Sequence, residues 1–337
     1  MNGSMMFAGH KILKAFQNRA RNKGASVRQC LEYHEHKQVW IITNRRNLMV
    51  VEMEDLHALL HPLEELHLSH QGREAAGVVT AVGPGLTGMK VGDVVAYAGN
   101  PMGSYTEEQI LPASVAVPVP PSINPIVAAA IMVKGMTAQF LVRRCFKIEP
   151  GHTILVHAAA GGIGSLLCQW AHALGATVIG TVSTEAKAAQ AVEDGCHHVI
   201  IYNQEDFVSS VDKITSGKGV NVVYDSVGKD TFQGSLACLK PRGYMVCFGQ
   251  SSGMPDSVPL SALAAKSLYL TRPLLTRYNA TRNELLEAAR ELFASIASGL
   301  LKVHVNHTYP LSHAAQAHAD LEGRKTTGSV VLIPDSN

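Results

Sequence analysis

Hydrophobic and polar positions change their rhythm twice along this chain. Residues 1–71 are polar and weakly periodic: Val39–Ile42 and Leu48–Val51 have strand character, and Leu56–Leu68 spaces its apolar residues as a short amphipathic helix does. Residues 72–122 hold apolar runs at Ala76–Val82, Val91–Tyr97 and Val115–Val119, separated by Gly83-Pro84-Gly85, Gly99-Asn100-Pro101 and Pro120-Pro121. Short strands punctuated by Gly and Pro predict a small β-barrel or sandwich.

From Ile123 the pattern turns to alternating strands and helices. Ile126–Cys145 reads as helical with a break near Gly135. Strands are predicted at Thr153–Ala158, Thr177–Val182, His198–Ile201, Val220–Asp225, Tyr244–Phe248 and Leu268–Thr271. Helices are predicted between them at Ile163–Leu174, Glu185–Asp194, Glu205–Thr215 and Thr231–Leu239. The 153–158 run has no polar alternation, as expected of a strand buried on both faces. The succession implies right-handed βαβ units and a doubly wound parallel sheet. The last stretch leaves this rhythm with a helix at Asn283–Ser298, a strand at Val303–Tyr309, a helix at His313–Leu321 and a strand at Ser329–Ile333, a pattern that returns to the first domain. The fold class is therefore α/β, a Rossmann sheet plus a β-rich domain. The expected divisions are 1–71 (atypical), 72–122 (β-rich domain, first part), 123–271 (the doubly wound domain) and 272–337 (return).

Composition narrows this picture only slightly. A chain of 337 residues suits two domains, and 46% hydrophobic with 17% charged residues supplies a sizeable core. The net charge of +2 gives no support to nucleic acid as a bulk partner. No run of about 18 apolar residues stands out, so no membrane span is predicted. Cys30, Cys145, Cys168, Cys196, Cys238 and Cys247 are scattered without a CxxC pair, which suits a reducing compartment and argues against structural zinc. No acid precedes Glu32, whereas Lys11, Lys14, Arg19, Arg21, Lys23 and Arg28 do; this is the composition of an organellar transit peptide, with a disordered basic tail or a gene-model artefact as alternatives. His57 and His61 stand one helical turn apart but lack a third ligand at a suitable spacing, so no metal is assigned to them.

The decisive motif is Val156-His157-Ala158-Ala159-Ala160-Gly161-Gly162-Ile163-Gly164, between a predicted strand and a predicted helix. Ala158, Gly161 and Gly164 take the three small positions: a tight turn, close backbone approach to a diphosphate, and close packing of helix on strand. Amides at the helix N-terminus, Gly162 and Ile163 among them, then face phosphate. NAD sites place Asp or Glu at the tip of the second strand. Here the strand ends Thr181-Val182-Ser183-Thr184, with Lys187 one turn into the next helix. A hydroxyl and an ammonium accept a 2′-phosphate that a carboxylate would repel, so the expected cofactor is NADPH. Asp225-Ser226-Val227-Gly228 and Phe248-Gly249-Gln250-Ser251 follow the fourth and fifth strands and are candidates for the nicotinamide half.

Taken together, Gly72-Arg73-Glu74-Ala75-Ala76-Gly77, Val91–Tyr97, Lys134-Gly135-Met136-Thr137-Ala138, the Ala158–Gly164 turn, Asp225–Gly228, Phe248–Gly253 and Arg324–Ser329 resemble the zeta-crystallin-like NADPH:quinone oxidoreductases of the medium-chain dehydrogenase/reductase superfamily. The likeness runs from about Gly72 to Pro334. It implies a GroES-like first domain, NADPH-dependent reduction of quinones or related electron-poor carbonyl compounds, and a homodimer formed edge to edge by the Rossmann sheets, here through Leu268–Thr271. By the same resemblance Lys187 and Tyr202 form the 2′-phosphate pocket, and Thr137, Phe248, Gly249, Gln250 and Arg324 are further cofactor contacts. Zinc-dependent relatives carry Gly-His-Glu where this chain has Gly72-Arg73-Glu74, and a guanidinium that stays protonated cannot replace that histidine ligand. Their four-cysteine lobe is absent too, so a metal-free enzyme is expected.

The resemblance stops at residue 72. The family's Asn-Phe-x-Asp-x-Tyr segment beside the nicotinamide is missing, and residues 1–71 read as a frameshifted or alternatively spliced start. Unpaired strand edges, an incomplete barrel and a pocket without its usual polar residues are the expected consequences, and no catalytic residue is assigned. Beside the quinone reductase, two readings stay open: an alkenal or enone double-bond reductase, and an NADPH-binding protein of impaired catalysis, structural or RNA-binding. The expected compartment is the cytoplasm, with an organelle as the alternative.

Overall fold

The computed structural model describes residues 38–41, 48–50, 72–83, 85–323 and 325–335. The predicted helix at 56–68, the His57–His61 pair, the basic N-terminal segment and Arg324 lie outside them. The described chain opens with strands β1 (Gln38–Ile41), β2 (Leu48–Val50), β3 (Glu74–Val78), β4 (Val94–Ala98), β5 (Gln109–Pro112) and β6 (Val117–Pro118). Helix α1 (Pro125–Phe140) leads into the alternating part: β7 (Thr153–Val156), α2 (Gly162–Ala173), β8 (Thr177–Val182), α3 (Glu185–Glu193), β9 (His198–Ile201), α4 (Phe207–Thr215), β10 (Val220–Asp225), α5 (Phe232–Cys238), β11 (Leu239–Cys247), α6 (Leu260–Ala264) and β12 (Tyr269–Thr271). Then come α7 (Leu275–Tyr278), α8 (Arg282–Ala297), β13 (Val305–Pro310), α9 (Ala314–Glu322) and β14 (Ser329–Ile333). Strand β5 and helices α6 and α7 have no counterpart in the sequence reading, being too short to carry a period.

Among the described residues two six-stranded sheets form. One is all parallel, in the order β12-β11-β10-β7-β8-β9. The chain winds outward from β7 to β9, crosses back to β10 and winds outward again, so the switch point lies between β7 and β10. Ligands of such sheets bind there, beyond the carboxyl ends of the strands. Ile154, Leu155 and Val156 of β7 are fully buried, as a strand covered by helices on both faces must be.

The second sheet runs β13-β14-β2-β3-β4-β6 and is antiparallel apart from the β13–β14 pair. Among the described residues this sheet is open, ending at β13 and β6; between them β2, from the stretch that resembles nothing in the family, pairs with β14 on one side and β3 on the other. Likewise β1 pairs antiparallel with β5. Backbone pairing asks only for an extended segment at the right place, so a strand there does not need the family's side chains.

Helix α1 joins the two sheets. Asn124 caps it by accepting from the Ile126 amide, and Pro125 begins it, where a missing N–H costs nothing. The predicted break at Gly135 does not occur. The helix runs through, and a Cβ on Gly135 would lie 2.6 Å from Leu292 Cδ1, so the glycine is the notch that lets α8 pack. The departure comes five residues later as a π-turn, Leu141–Cys145, whose loosened Leu141 carbonyl accepts from the buried Tyr224 hydroxyl at 3.1 Å. The segment Pro125–Cys145 is long and apolar enough to cross a membrane by composition, yet Ala128–Met132 are at most 1% exposed inside the protein core. Its apolarity is explained by burial between the sheets: one hydrophobic cluster includes its residues with Ala76, Ala96 and Val331 on one side and Ile154, Val156 and Val222 on the other.

Candidate dinucleotide site

The turn after β7 is built almost wholly from backbone. Ala158 takes a left-handed conformation (φ 51°), and the Gly161 amide donates back to its carbonyl at 2.8 Å. Helix α2 starts at once, with Gly161 at the cap and no side chain bonded to its first amides. A Cβ on Gly164 would lie 2.2 Å from the Ala158 carbonyl oxygen, so only glycine lets the helix sit this close to the turn. A Cβ on Gly162 would lie 2.9 Å from Lys134 Cδ.

A buried polar network holds the turn from beneath. His157 Nδ1 faces Thr181 Oγ1 at 3.0 Å and Nε2 faces Ser235 Oγ at 2.9 Å, tying β7 to β8 and α5. Burial makes a charged imidazole costly and pushes its pKa down to about 4, partly opposed by Asp225, so the ring is neutral at pH 7. Asp225 is itself fully buried. Its Oδ1 accepts from the Val227 and Gly228 amides, and its Oδ2 from Thr231 and Ser235. Of the 225–228 loop only Ser226 reaches the cleft wall; Asp225 shapes the loop from inside.

Two clefts meet over this turn. One, of about 430 Å³, lies between the carboxyl ends of the parallel strands and the antiparallel sheet; the other, of about 460 Å³, runs along α2 toward α3. They share Lys134, Gly161, Gly162, Leu321 and Gly328 and so form one groove. Of the residues singled out from sequence, Thr137, Ala158, Gly161, Gly162, Ile163, Gly164 and Phe248 line the first cleft, and Lys187 joins the glycines in the second. Ser183 and Tyr202 stand at the tips of β8 and β9, outside the cleft walls; Asn203 donates to the Ser183 carbonyl at 2.9 Å, and Tyr202 is 51% exposed. Gln250 accepts from Arg272 at 3.1 Å. Gly249 lets two strand-end loops touch, since its Cβ would lie 2.6 Å from the Ser226 carbonyl oxygen.

Other wall residues carried no signal in the sequence that assigned them. Lys302, His304 and Thr327 come from the C-terminal stretch, Pro273–Thr276 from the end of the β12 loop and the start of α7, and Lys134 from α1. Lys134 and Thr327 do stand in motifs quoted above, which were the only clues. Charge across the groove is one-sided: its described lining includes Arg73, Lys134, Lys187 and Lys302 and no Asp or Glu. Such a wall favours an anion. A further cavity of about 540 Å³ lies at the amino ends of β10 and β11 and contains none of these residues; its Lys266 donates to the Ala237 and Leu239 carbonyls, capping a helix end. Arg73 is exposed in the first cleft, and among the described residues no group of three His, Cys, Asp or Glu is arranged to hold a metal ion.

A Rossmann sheet whose glycine turn faces a GroES-like antiparallel sheet across such a groove is the architecture of a medium-chain dehydrogenase/reductase. The family model described as zinc-binding dehydrogenase matches residues 162–293. Quinone oxidoreductase 1 of Escherichia coli (strain K12) is 50% identical over 266 residues, 78% of this chain and 81% of that protein. The 2-haloacrylate reductase of a Burkholderia species is 47% identical over 269 residues, 79% of this chain and 81% of that protein. Among solved structures, the Escherichia coli quinone oxidoreductase complexed with NADPH superposes with a TM-score of 0.82 at 45% identity, covering 89% of this chain and 92% of that one. The chain belongs to the quinone oxidoreductase family, in the zinc-free group of that superfamily.

Proposed function

We propose that the protein is an NADPH-dependent oxidoreductase that reduces quinones and related electron-poor carbonyl compounds without a metal. The observation that carries this reading is the glycine turn opening onto a groove whose described lining is cationic and free of acids. The residues present fit the cofactor. Gly164 lets the helix start tight against the turn, its cap carries no side-chain hydrogen bond, and the lysines match the phosphates in charge. Bound NADPH supplies the hydride. Ala158, Gly161, Gly162, Ile163 and Gly164 would hold the diphosphate; Ser183, Lys187 and Tyr202 the adenosine end; Phe248, Gly249 and Gln250 the nicotinamide half, with Thr137 and Arg324 as further cofactor contacts. The walls from Phe140, Phe248 and Leu274–Leu275 offer an acceptor an apolar surface that limits water at the point of transfer.

A second acceptor class, activated carbon–carbon double bonds, is favoured by the similarity to a protein named 2-haloacrylate reductase. We place the protein in the cytoplasm as a homodimer. Its parallel sheet ends in β12, where Tyr269 is 52% and Leu270 38% exposed, a surface suited to pairing with a second copy. We also take 72–122 with 272–337 as one domain and 123–271 as the other.

The test is direct. Purified protein is mixed with NADPH and a small quinone, and absorbance at 340 nm is followed. Steady oxidation is the expected result, and saturable NADPH binding without turnover on quinones or enones would leave a cofactor-binding protein instead.

A further inference from the structure

Lys134 stands where the two clefts join, and neither its packing nor its one hydrogen bond explains its charge. Its stem lies over the glycine turn, with Cδ and Cε 2.9 and 3.0 Å from where a Gly162 Cβ would be. Its Nζ donates to Ser329 Oγ at 3.1 Å, across to β14 of the other sheet. The side chain is half-buried, and no carboxylate pairs with it among the described residues. A methionine would cover Gly162 as well as the lysine stem does. What remains is an ammonium with two N–H groups left over after Ser329, withdrawn from water and facing a groove whose described lining holds no acid. Partly burying such a charge is unfavourable without a counter-ion.

The place of the ammonium says which anion it meets. Lys187 lies in the second cleft only, at the adenosine end, whereas Lys134 borders both clefts directly above Gly162. A dinucleotide laid along the groove has its diphosphate bridge at that junction. Resting on the NADPH reading above, we propose that Lys134 is the counter-ion of the diphosphate bridge, fixed in place by Ser329, and that it sets affinity for the dinucleotide without choosing between NADPH and NADH. Because Lys134 belongs to α1 and Ser329 to β14, the same ammonium links the cofactor to both elements that face the glycine turn.

Dissociation constants for NADPH and NADH, measured by calorimetry on the wild type, K134M, K134R and K187M, test this. Charge-assisted hydrogen bonds of this kind predict a loss of about 10- to 100-fold for both dinucleotides in K134M. The NADPH/NADH ratio should stay as in the wild type. K134R, which keeps the charge, should recover most of the affinity, and K187M should weaken NADPH alone. The proposal is overturned if K134M binds both as tightly as the wild type, which would leave the stem packing over Gly162 as the lysine's only role. It is equally overturned if K134M loses NADPH selectively, or if K134R binds no better than K134M. Should K134M fail to fold, K134Q replaces it with the same expected results. A wild type that binds neither dinucleotide would sink the NADPH reading itself, an outcome separate from any of these.

Discussion

The two walls of the groove are made in opposite ways. The wall on the parallel sheet is local: Val156 to Gly164 supply a strand end, a turn and a helix start in nine consecutive residues, and the turn is closed by a backbone hydrogen bond from Gly161 to Ala158. The facing wall is assembled from Arg73, Lys134, Lys302 and Gly328, which the antiparallel sheet and α1 collect from four distant parts of the chain. A backbone cradle tolerates almost no change of side chain, because the added atoms would occupy the place of the ligand or of the turn itself. A wall of side chains can lose one member and keep its shape. The expected effects of substitution differ accordingly.

The sharpest break should come at Gly164→Val. Its Cβ would meet the Ala158 carbonyl oxygen at 2.2 Å, so helix and turn must separate. We expect about 3 kcal/mol of destabilisation from the forced shift, with dinucleotide binding lost in calorimetry even where the protein still folds. A variant that binds NADPH normally would show that the turn is not a rigid cradle.

Beneath the same turn, His157 should make stability depend on pH. An unfolded histidine takes its proton near its ordinary value, while His157 resists protonation down to about 4. Between those values the unfolded state binds the extra proton, so stability falls as pH drops through the window and levels off below it. The loss amounts to about 3 kcal/mol. Urea denaturation of the wild type and H157Q at pH 7 and pH 4.5 checks the sign: the wild type should lose more stability on acidification than the variant.

On the facing wall, Glu74 is fully buried, and its Oε2 accepts from the Val133 amide at 2.6 Å, binding β3 to α1. Glu74→Ala should cost about 2 kcal/mol by denaturant unfolding, since it removes a partner from the part-buried Val133 amide and empties a fully buried position. The smallest effect is expected at Lys187, an exposed residue of α3. Lys187→Met should leave the melting temperature unchanged and shift the NADPH/NADH preference by about 10-fold, a single charge contact at the edge of the groove. An unchanged preference would move the choice of cofactor to Ser183 and Tyr202.

Legibility in the sequence followed the same division. The strands of the parallel sheet announced themselves as short apolar runs, and the predicted His198–Ile201 and Val220–Asp225 match β9 and β10 residue for residue. The antiparallel sheet was blurred: Ala76–Val82 was expected where Glu74–Val78 is found, and β5 was not foreseen. These strands are short, and β3 buries Glu74 and the small residues Ala75 to Gly77 on both faces, so there is no alternation to count. Gly135 was read by its propensity as a break, but its neighbour Leu292 lies far along the chain, and packing overrode propensity. Asp225 seemed a candidate for the cleft by its place at a strand end, and only the positions of Thr231, Ser235 and His157 turn it inward.

By itself, then, the sequence determined what depends on neighbours within a dozen residues: the βαβ rhythm, the glycine turn, the missing carboxylate after β8, and Arg73 in place of a ligand histidine. Tertiary structure alone decided what joins distant segments. It set β2 between β3 and β14, placed Lys134 against Ser329, and gathered lysines without acids along the described groove. The physical reason is range. Backbone conformation is governed by sterics and hydrogen bonds a few residues apart, whereas the electrostatic character of a cleft is the sum over whatever side chains folding brings to its walls.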